Sequence, residues 1–169
     1  RITPQFYPEI NSARLGYSYD IETGKTEEFK PANVGYGITY VLPIITQLLI
    51  SKPGQTIIIE NPESHLHPSG QSTISKLCTL AANNKVQIII ETHSDHIING
   101  ILVAVNQNSK DEKIGIDSEK ISMIFIDRDE NALKSNVHQI NIKPDGRIIK
   151  APKNFYDQFS KDMKQIMGF

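Results

Sequence analysis

One stretch constrains the fold more than any other: Thr56-Ile-Ile-Ile-Glu-Asn-Pro-Glu-Ser-His-Leu-His-Pro68. A short β-branched run stops abruptly at acids, an amide, prolines and two histidines. An apolar run of this length between polar residues reads as a strand buried on both faces of a parallel sheet. Ligands of such sheets bind just beyond the carboxyl ends of the strands. Glu60, Asn61, Glu63, His65 and His67 sit at that end.

The rest of the chain supports the same class. Strand 56–60 leads through a polar loop into a helical pattern over 69–82, closed by Asn83-Asn84. Strand 86–91 leads through Thr-His-Ser-Asp-His into a second helical pattern over 95–106. A polar loop, 107–117, precedes a third strand at 121–126. Strand, helix, strand, helix, strand predicts an α/β domain around a parallel sheet with right-handed crossovers. Upstream, residues 14–20 alternate as an exposed strand, Thr23-Gly24-Lys25 reads as a turn, and 26–29 reads as a returning strand. Asn33-Val-Gly-Tyr-Gly37 is a glycine-bearing loop. A helix follows over 38–50, with Pro43 setting its start near Tyr40 or bending it there. In the tail, 136–142 alternates and Pro144-Asp145-Gly146 is a turn, so 147–150 can pair back as a hairpin. Phe155, Phe159, Met163 and Ile166 recur at helical spacing, which predicts a last helix docked on the sheet. The segments are therefore an N-terminal hairpin region (1–32), a central lobe (33–128) and a C-terminal hairpin plus helix (129–169).

Bulk properties narrow the partners. The net charge of −1 gives no global basic field for nucleic acid. The single cysteine, Cys78, lies in a helical pattern and reads as a buried small hydrophobe. One cysteine makes no internal disulfide, which fits a reducing cytoplasm. No run is long enough to span a membrane, and no leader is visible. The chain opens at Arg1 without a methionine, which reads as a processed or excised piece.

The polar strand ends carry the chemistry. An acid ending a buried strand, as Glu60 does, costs free energy unless a metal or donors meet it. Magnesium held through water is one such partner; a helix cap or a lysine is another. Asn61 can orient a water molecule but cannot take its proton. Glu63 is either a base near that water or a first-turn acid favoured by the helix dipole. His93, at the end of the neighbouring strand, can face Glu60 and donate to a terminal phosphate, or it can serve the cap of the helix at Asp95. A different enzyme class is also open. His65, His67, His93 and His96 with Glu60 and Glu63 resemble a metal-hydrolase cluster. Gly24-Lys25-Thr26 is a decoy: the phosphate-loop pattern needs glycine at position 19, and Tyr19 is there.

These residues match a family. Ile57-Ile-Ile-Glu-Asn-Pro-Glu-Ser-His-Leu-His-Pro68 resembles the Walker B motif and D-loop of ATP-binding-cassette ATPases. The stretch looks like the branch shared with chromosome-maintenance (SMC), recombination-repair and OLD-type nuclease ATPases of the AAA class. Glu91-Thr-His-Ser-Asp-His96 resembles the switch-histidine loop, and Asn33 to Ile44 the signature motif. The tail 149–158 resembles the end of bacterial AAA-type ATPases with an uncharacterised C-terminal domain. The resemblance covers the chain from about Asn33 onward. It implies a P-loop NTPase fold of cassette type, of which this chain is the C-terminal lobe with a small β-hairpin and helix tail.

It also implies roles. Glu60 would be the Walker B acid and magnesium ligand. Asn61 stands where many relatives have the catalytic glutamate, so turnover would be slow or would rely on Glu63. His93 would be the switch histidine. Asn33, Val34, Gly35 and Gly37 would form the signature loop, with Ser64 and His65 in the D-loop, all facing nucleotide held by a second copy. The implied cofactors are ATP and Mg2+, and the implied assembly is a homodimer glued by ATP. The phosphate loop (Walker A) would lie on an N-terminal half outside this sequence, so this chain alone would neither bind ATP tightly nor hydrolyse it. The resemblance also implies DNA-linked work such as phage defence or repair, with DNA or a nuclease as partner. One alternative is a dimerisation switch with little hydrolysis. An OLD-type nuclease would need an additional metal-binding domain, for which 121–129 and the short tail are too small.

Overall fold

The computed structural model describes residues 1–111, 114–129 and 133–168. Glu112 and Lys113, in the middle of the expected 107–117 loop, lie outside the described residues, as do residues 130–132 and 169 of the tail.

The centre is a parallel pair, β5 (Thr56–Glu60) and β6 (Gln87–Glu91), joined by helix α2 (Pro68–Asn83). Helix α3 (Asp95–Asn108) follows β6, and α1 (Tyr36–Ile50) precedes β5. The two strands run in register, Thr56 against Gln87 through Glu60 against Glu91. One face is packed: Ile57 and Ile59 join Leu48 of α1, Ile74, Cys78 and Ala81 of α2, and Val86. Burying each isoleucine contributes roughly 1.5–3 kcal/mol. Burial also pushes the Cys78 thiol up to about 12, so it behaves as an apolar core group.

The other face corrects the expectation of strands buried on both sides. Ile58 is 68% exposed and Ile89 47% exposed, because α1 and α2 cover only the opposite face. The third strand is also corrected. β7 (Met123–Asp129) does not pair with β5 or β6; it forms an antiparallel sheet with β8 (Lys134–Ile142) and β9 (Ile148–Ile149), in the order β7-β8-β9. The alternating run that follows β7 is its nearest partner along the chain, and closing a short loop costs less entropy than a crossover. The expected return of 147–150 onto 136–142 is present as the β8–β9 pairing. Met123 and Ile140 of this sheet cluster with Phe155 of the tail, and Ile98 and Leu102 of α3 pack against them.

Helix α4 (Gln158–Met167) departs from its expected docking. Phe155, one turn before it, is buried, but Phe159 is 73% and Ile166 77% exposed. Helical spacing marks an apolar face without saying that anything covers it. At the other end, the sequence hides a strand: β1 (Ile2–Tyr7) pairs antiparallel with β2 (Ser12–Tyr17). The expected return at 26–29 shrinks to one bridge, Tyr17 to Phe29, beside the two-residue strands β3 (Asp20–Ile21) and β4 (Gly24–Lys25). Helix α1 starts at Tyr36, earlier than Tyr40, and carries Pro43 inside it.

The α2–α3 contact fixes the spacing of the layer behind the sheet. The fully buried Ser75 hydroxyl donates to the Ile97 carbonyl at 2.9 Å. A Cβ on Gly100 would lie 2.7 Å from Ser75 Cβ and 3.1 Å from the Ser72 carbonyl oxygen. Gly100→Ala is therefore expected to lower stability by ~1–2 kcal/mol, with overpacking outweighing the gain in helix propensity. The check is a lower urea midpoint at unchanged m; an unchanged or higher midpoint would show that the helices can separate freely.

Candidate functional site at the carboxyl ends of the parallel strands

Glu60 and Glu91 are in-register partners, so their side chains share the open face of the β5–β6 pair. Two carboxylates at adjacent strand ends repel each other unless a cation lies nearby. Among the described residues no hydrogen bond or ion pair engages the Glu60 carboxylate. Glu91 lies 3.0 Å from His93, Oε1 to Nε2. The His93 side chain is 82% exposed and turns toward Glu91, whereas facing Glu60 was the expectation. The cause is local: β6 ends at Glu91, two residues before the ring.

The loop after β5 is shaped by backbone first. Asn61 is left-handed, at φ 48°, and His65 at φ 61°. Asparagine is among the few residues that adopt this region readily. The Asn61 N–H donates to the Glu91 carbonyl at 3.0 Å, and its own carbonyl accepts from Ser64 N–H at 3.1 Å. Pro62 is fully buried beneath the turn. These contacts leave Glu63 aimed at the neighbouring loop. One Glu63 oxygen accepts the Thr92 hydroxyl at 2.7 Å and the other accepts the His93 N–H at 2.8 Å. The D-loop-like and switch-loop-like segments are thus one hydrogen-bonded unit.

Further contacts fix the switch-like loop from behind. Ser94 caps α3, accepting from the His96 and Ile97 N–H groups. Its hydroxyl donates to Gln71 of α2 at 2.5 Å, and Gln71 in turn donates to the Leu66 carbonyl at 2.9 Å.

The glycine loop lies on the far side of the 61–67 turn. Asn33 ends a 3-10 turn begun at Pro31, Val34 follows, and Gly35 opens α1 with no side-chain cap. The first N–H groups of a helix attract anions when uncapped. At Gly37, a Cβ would meet the His65 carbonyl oxygen at 2.5 Å, so only glycine lets α1 approach the turn this closely. His65 packs between the rings of Tyr36 and Tyr40, 5.7 Å from each. The Tyr40 hydroxyl lies 3.3 Å from the Asn61 carbonyl. An open cleft of about 560 Å³ runs along this side, lined by Tyr36, Tyr40, Ile58, Glu60 and His65 among others.

The structure therefore gathers Glu60, Asn61, Glu63, Ser64, His65 and His93 at one end of the sheet, with Gly35 and Gly37 alongside. It disperses the metal-hydrolase cluster. His67 accepts from Ser69 N–H at the start of α2, and His96 lies 3.6 Å from its neighbour Asp95. Among the described residues, no group of three or more histidine, cysteine, aspartate or glutamate side chains is placed to hold a metal. Gly24-Lys25-Thr26 is a hairpin piece, its Thr26 hydroxyl accepting from Tyr19 N–H. No helix among the described residues is long and apolar enough to cross a membrane.

Sequence reasoning missed Glu91, Tyr40, Gln71 and Tyr156. Glu91 had a signal: both strands end in the same Ile-Ile-Ile-Glu. Tyr156 had none, because its contact spans 64 residues of sequence. Its hydroxyl donates to the Thr92 carbonyl at 3.3 Å. Its pKa is raised by burial and by the nearby Glu63, Asp95 and Glu91 charges, which keeps the phenol protonated as a donor.

Comparison with known proteins bears on the fold and the family. No curated protein matches the chain. Six solved chains do. One comes from work described as "Structural biochemistry of ATP-driven dimerization and DNA stimulated activation of SMC ATPases". It aligns with a TM-score of 0.54 at 10% identity, over 98% of this chain and 81% of that one. At that identity the likeness speaks for the fold, an α/β fold of P-loop NTPase type. Residues 116–166 match a protein family of unknown function (DUF3696). Residues 2–99 match the family described as "AAA domain, putative AbiEii toxin, Type IV TA system", and since they make up more than half of the chain, the protein belongs to that family.

Proposed function

We propose that the carboxyl end of β5 and β6 is one face of a Mg-ATP site in an ATPase that dimerises around its nucleotide. The observation that carries this is the Glu63 bridge to Thr92 and His93, which ties the acid-bearing loop and the histidine-bearing loop into one unit. The residues present fit the group. Glu60 offers a carboxylate with no protein partner among the described residues, beside Glu91 on the open face. His93 is exposed enough to reach a phosphate. Bound magnesium would neutralise charge on the phosphates and orient them. In this reading Glu60 holds the metal and His93 donates to the terminal phosphate. Asn61 shapes the turn and orients water. Glu63 holds the histidine loop. Asn33, Val34, Gly35 and Gly37 with the uncapped start of α1, together with Ser64 and His65, face the nucleotide of a second copy. The neighbour's ATP-driven dimerisation supports the assembly, and its DNA-stimulated activation supports a DNA-linked role such as defence or repair.

The phosphate loop is assigned to another segment, because this sequence has no G-x-x-x-x-G-K-[ST] pattern. The isolated chain is expected to show no micromolar ATP binding in calorimetry; such binding would place the phosphate contacts within these residues.

A second reading is favoured by a specific observation. Both Glu63 oxygens are committed to donors, and Asn61 cannot accept a proton, so ATP would act mainly as a dimerising switch with slow turnover. Two substitutions in the complete ATPase separate the roles. Glu60→Gln is expected to cut turnover about a hundredfold or more, the scale of losing a charged group aligned with the transition state. Glu63→Gln keeps an acceptor for His93 and a donor for the Thr92 hydroxyl, so turnover is expected to stay within about fivefold, against the 10²–10⁴-fold loss that removing a general base brings. A loss on that larger scale for Glu63→Gln would make Glu63 the base.

A further inference from the structure

Among the described residues, the C-terminal segment hydrogen-bonds the candidate site through Tyr156, and it does so from a strained turn. Tyr156 has φ 49° and Asn154 φ 68°, both left-handed. For a bulky side chain that conformation costs roughly 1–2 kcal/mol and persists only where surrounding contacts impose it. Those contacts are present on both sides. Phe155 is buried between the two, against Met123 and Ile140, with its ring 5.4 Å from Phe125. The Tyr156 ring stands edge-on to Phe155 at 4.7 Å. Beyond it, Asp157 accepts from the Asn154 N–H at 3.2 Å and pairs with Lys161 at 2.7 Å. Lys161 also donates to the Asn154 side chain at 2.9 Å. The turn is thus clamped at both ends, and the Tyr156 hydroxyl reaches outward from it to the Thr92 carbonyl.

Thr92 is where the contacts converge. Its hydroxyl donates to Glu63 and accepts from Ser94 N–H at 3.1 Å, and its carbonyl accepts from Tyr156. The next residue is His93. The peptide plane between Thr92 and His93 is therefore held at its carbonyl by the tail and at its N–H by Glu63. Any rotation of that plane swings the exposed imidazole.

We propose that Tyr156 is a positioning residue for His93, through which the C-terminal unit sets the geometry of the nucleotide site. This rests on the ATPase reading for its functional meaning, and on hydrogen bonding alone for its structural content. The tail segment that carries Tyr156 thereby braces the histidine loop from outside the lobe that carries the acid.

The test compares Tyr156→Phe with the unmodified chain by NMR. The variant keeps the ring against Phe155 and removes only the hydroxyl. Amide hydrogen exchange at His93 and Ser94 is expected to quicken about fivefold, the ratio set by one net hydrogen bond. The His93 ring resonances are expected to move, while exchange in β7 and β8 stays as it was. Unchanged exchange and an unmoved ring overturn the proposal. So does acceleration confined to Phe155, β7 and β8, which marks a tyrosine that serves only the packing of the tail. If Tyr156→Phe loosens those strands together with the loop, Tyr156→Asn decides. Asparagine takes left-handed backbone readily and is too short to reach Thr92. Faster exchange at His93 and Ser94 in that variant sustains the proposal, and unchanged exchange there overturns it. In the complete ATPase, Tyr156→Phe is expected to lower kcat about fivefold at unchanged KM for ATP. An unmodified ATPase without turnover counts against the activity, and the NMR comparison then judges the tyrosine by itself.

Discussion

The Glu63 carboxylate accepts one hydrogen bond from the Thr92 hydroxyl and one from the His93 N–H. Hydrogen bonds to a charged acceptor contribute roughly 1.5–3 kcal/mol each, toward the lower end where water competes. Two on one group do more than add stability: they join two loops directly and so fix their separation and rotation. The parallel register of β5 and β6 brings Glu60 and Glu91 together, but strands alone do not position the loops beyond them. The bridge does that, and it explains why an acid lies three residues past Glu60.

Backbone conformation makes the bridge possible. Asn61 and His65 both take left-handed φ, which folds residues 61–67 into a tight turn and points Glu63 sideways toward the next loop. The turn then offers its outer carbonyl, at His65, to the start of α1, where the glycine at 37 admits it. Asn61 can therefore be read in two ways that do not compete. In the proposed ATPase it would be an amide where a proton acceptor would speed hydrolysis, and it is a residue suited to the φ that the turn needs. A glutamate there would accept the same backbone conformation less readily.

Much of this was legible in the sequence for physical reasons that can be named. The Ile-Ile-Ile-Glu runs end where side-chain polarity changes abruptly, so the strand ends and their acids follow from local pattern. Pro68 and Ser94 mark helix starts, and α2 and α3 begin within a residue of them. What failed depended on partners distant in sequence. Ile58 and Ile89 look like core residues in a one-dimensional reading, and their exposure reflects the lack of cover over that face among the described residues. The antiparallel choice of β7 depends on β8, and Phe159 and Ile166 share an apolar helix face that stays open. The direction of His93, toward Glu91, was set by two residues of spacing that a strand-level reading does not resolve. Tyr156 was invisible for the same reason: nothing near it in the chain announces a contact with Thr92.

The central claim is that the two strand ends form a single Mg-nucleotide site. Manganese-ATP added to the isotopically labelled complete ATPase tests it directly, because the paramagnetic ion broadens resonances of nuclei close to it. Residues 60–65 and 91–94 of this chain are expected to broaden together while residues 24–26 are untouched. Broadening of only one of the two loops, or of residues 24–26, would contradict it.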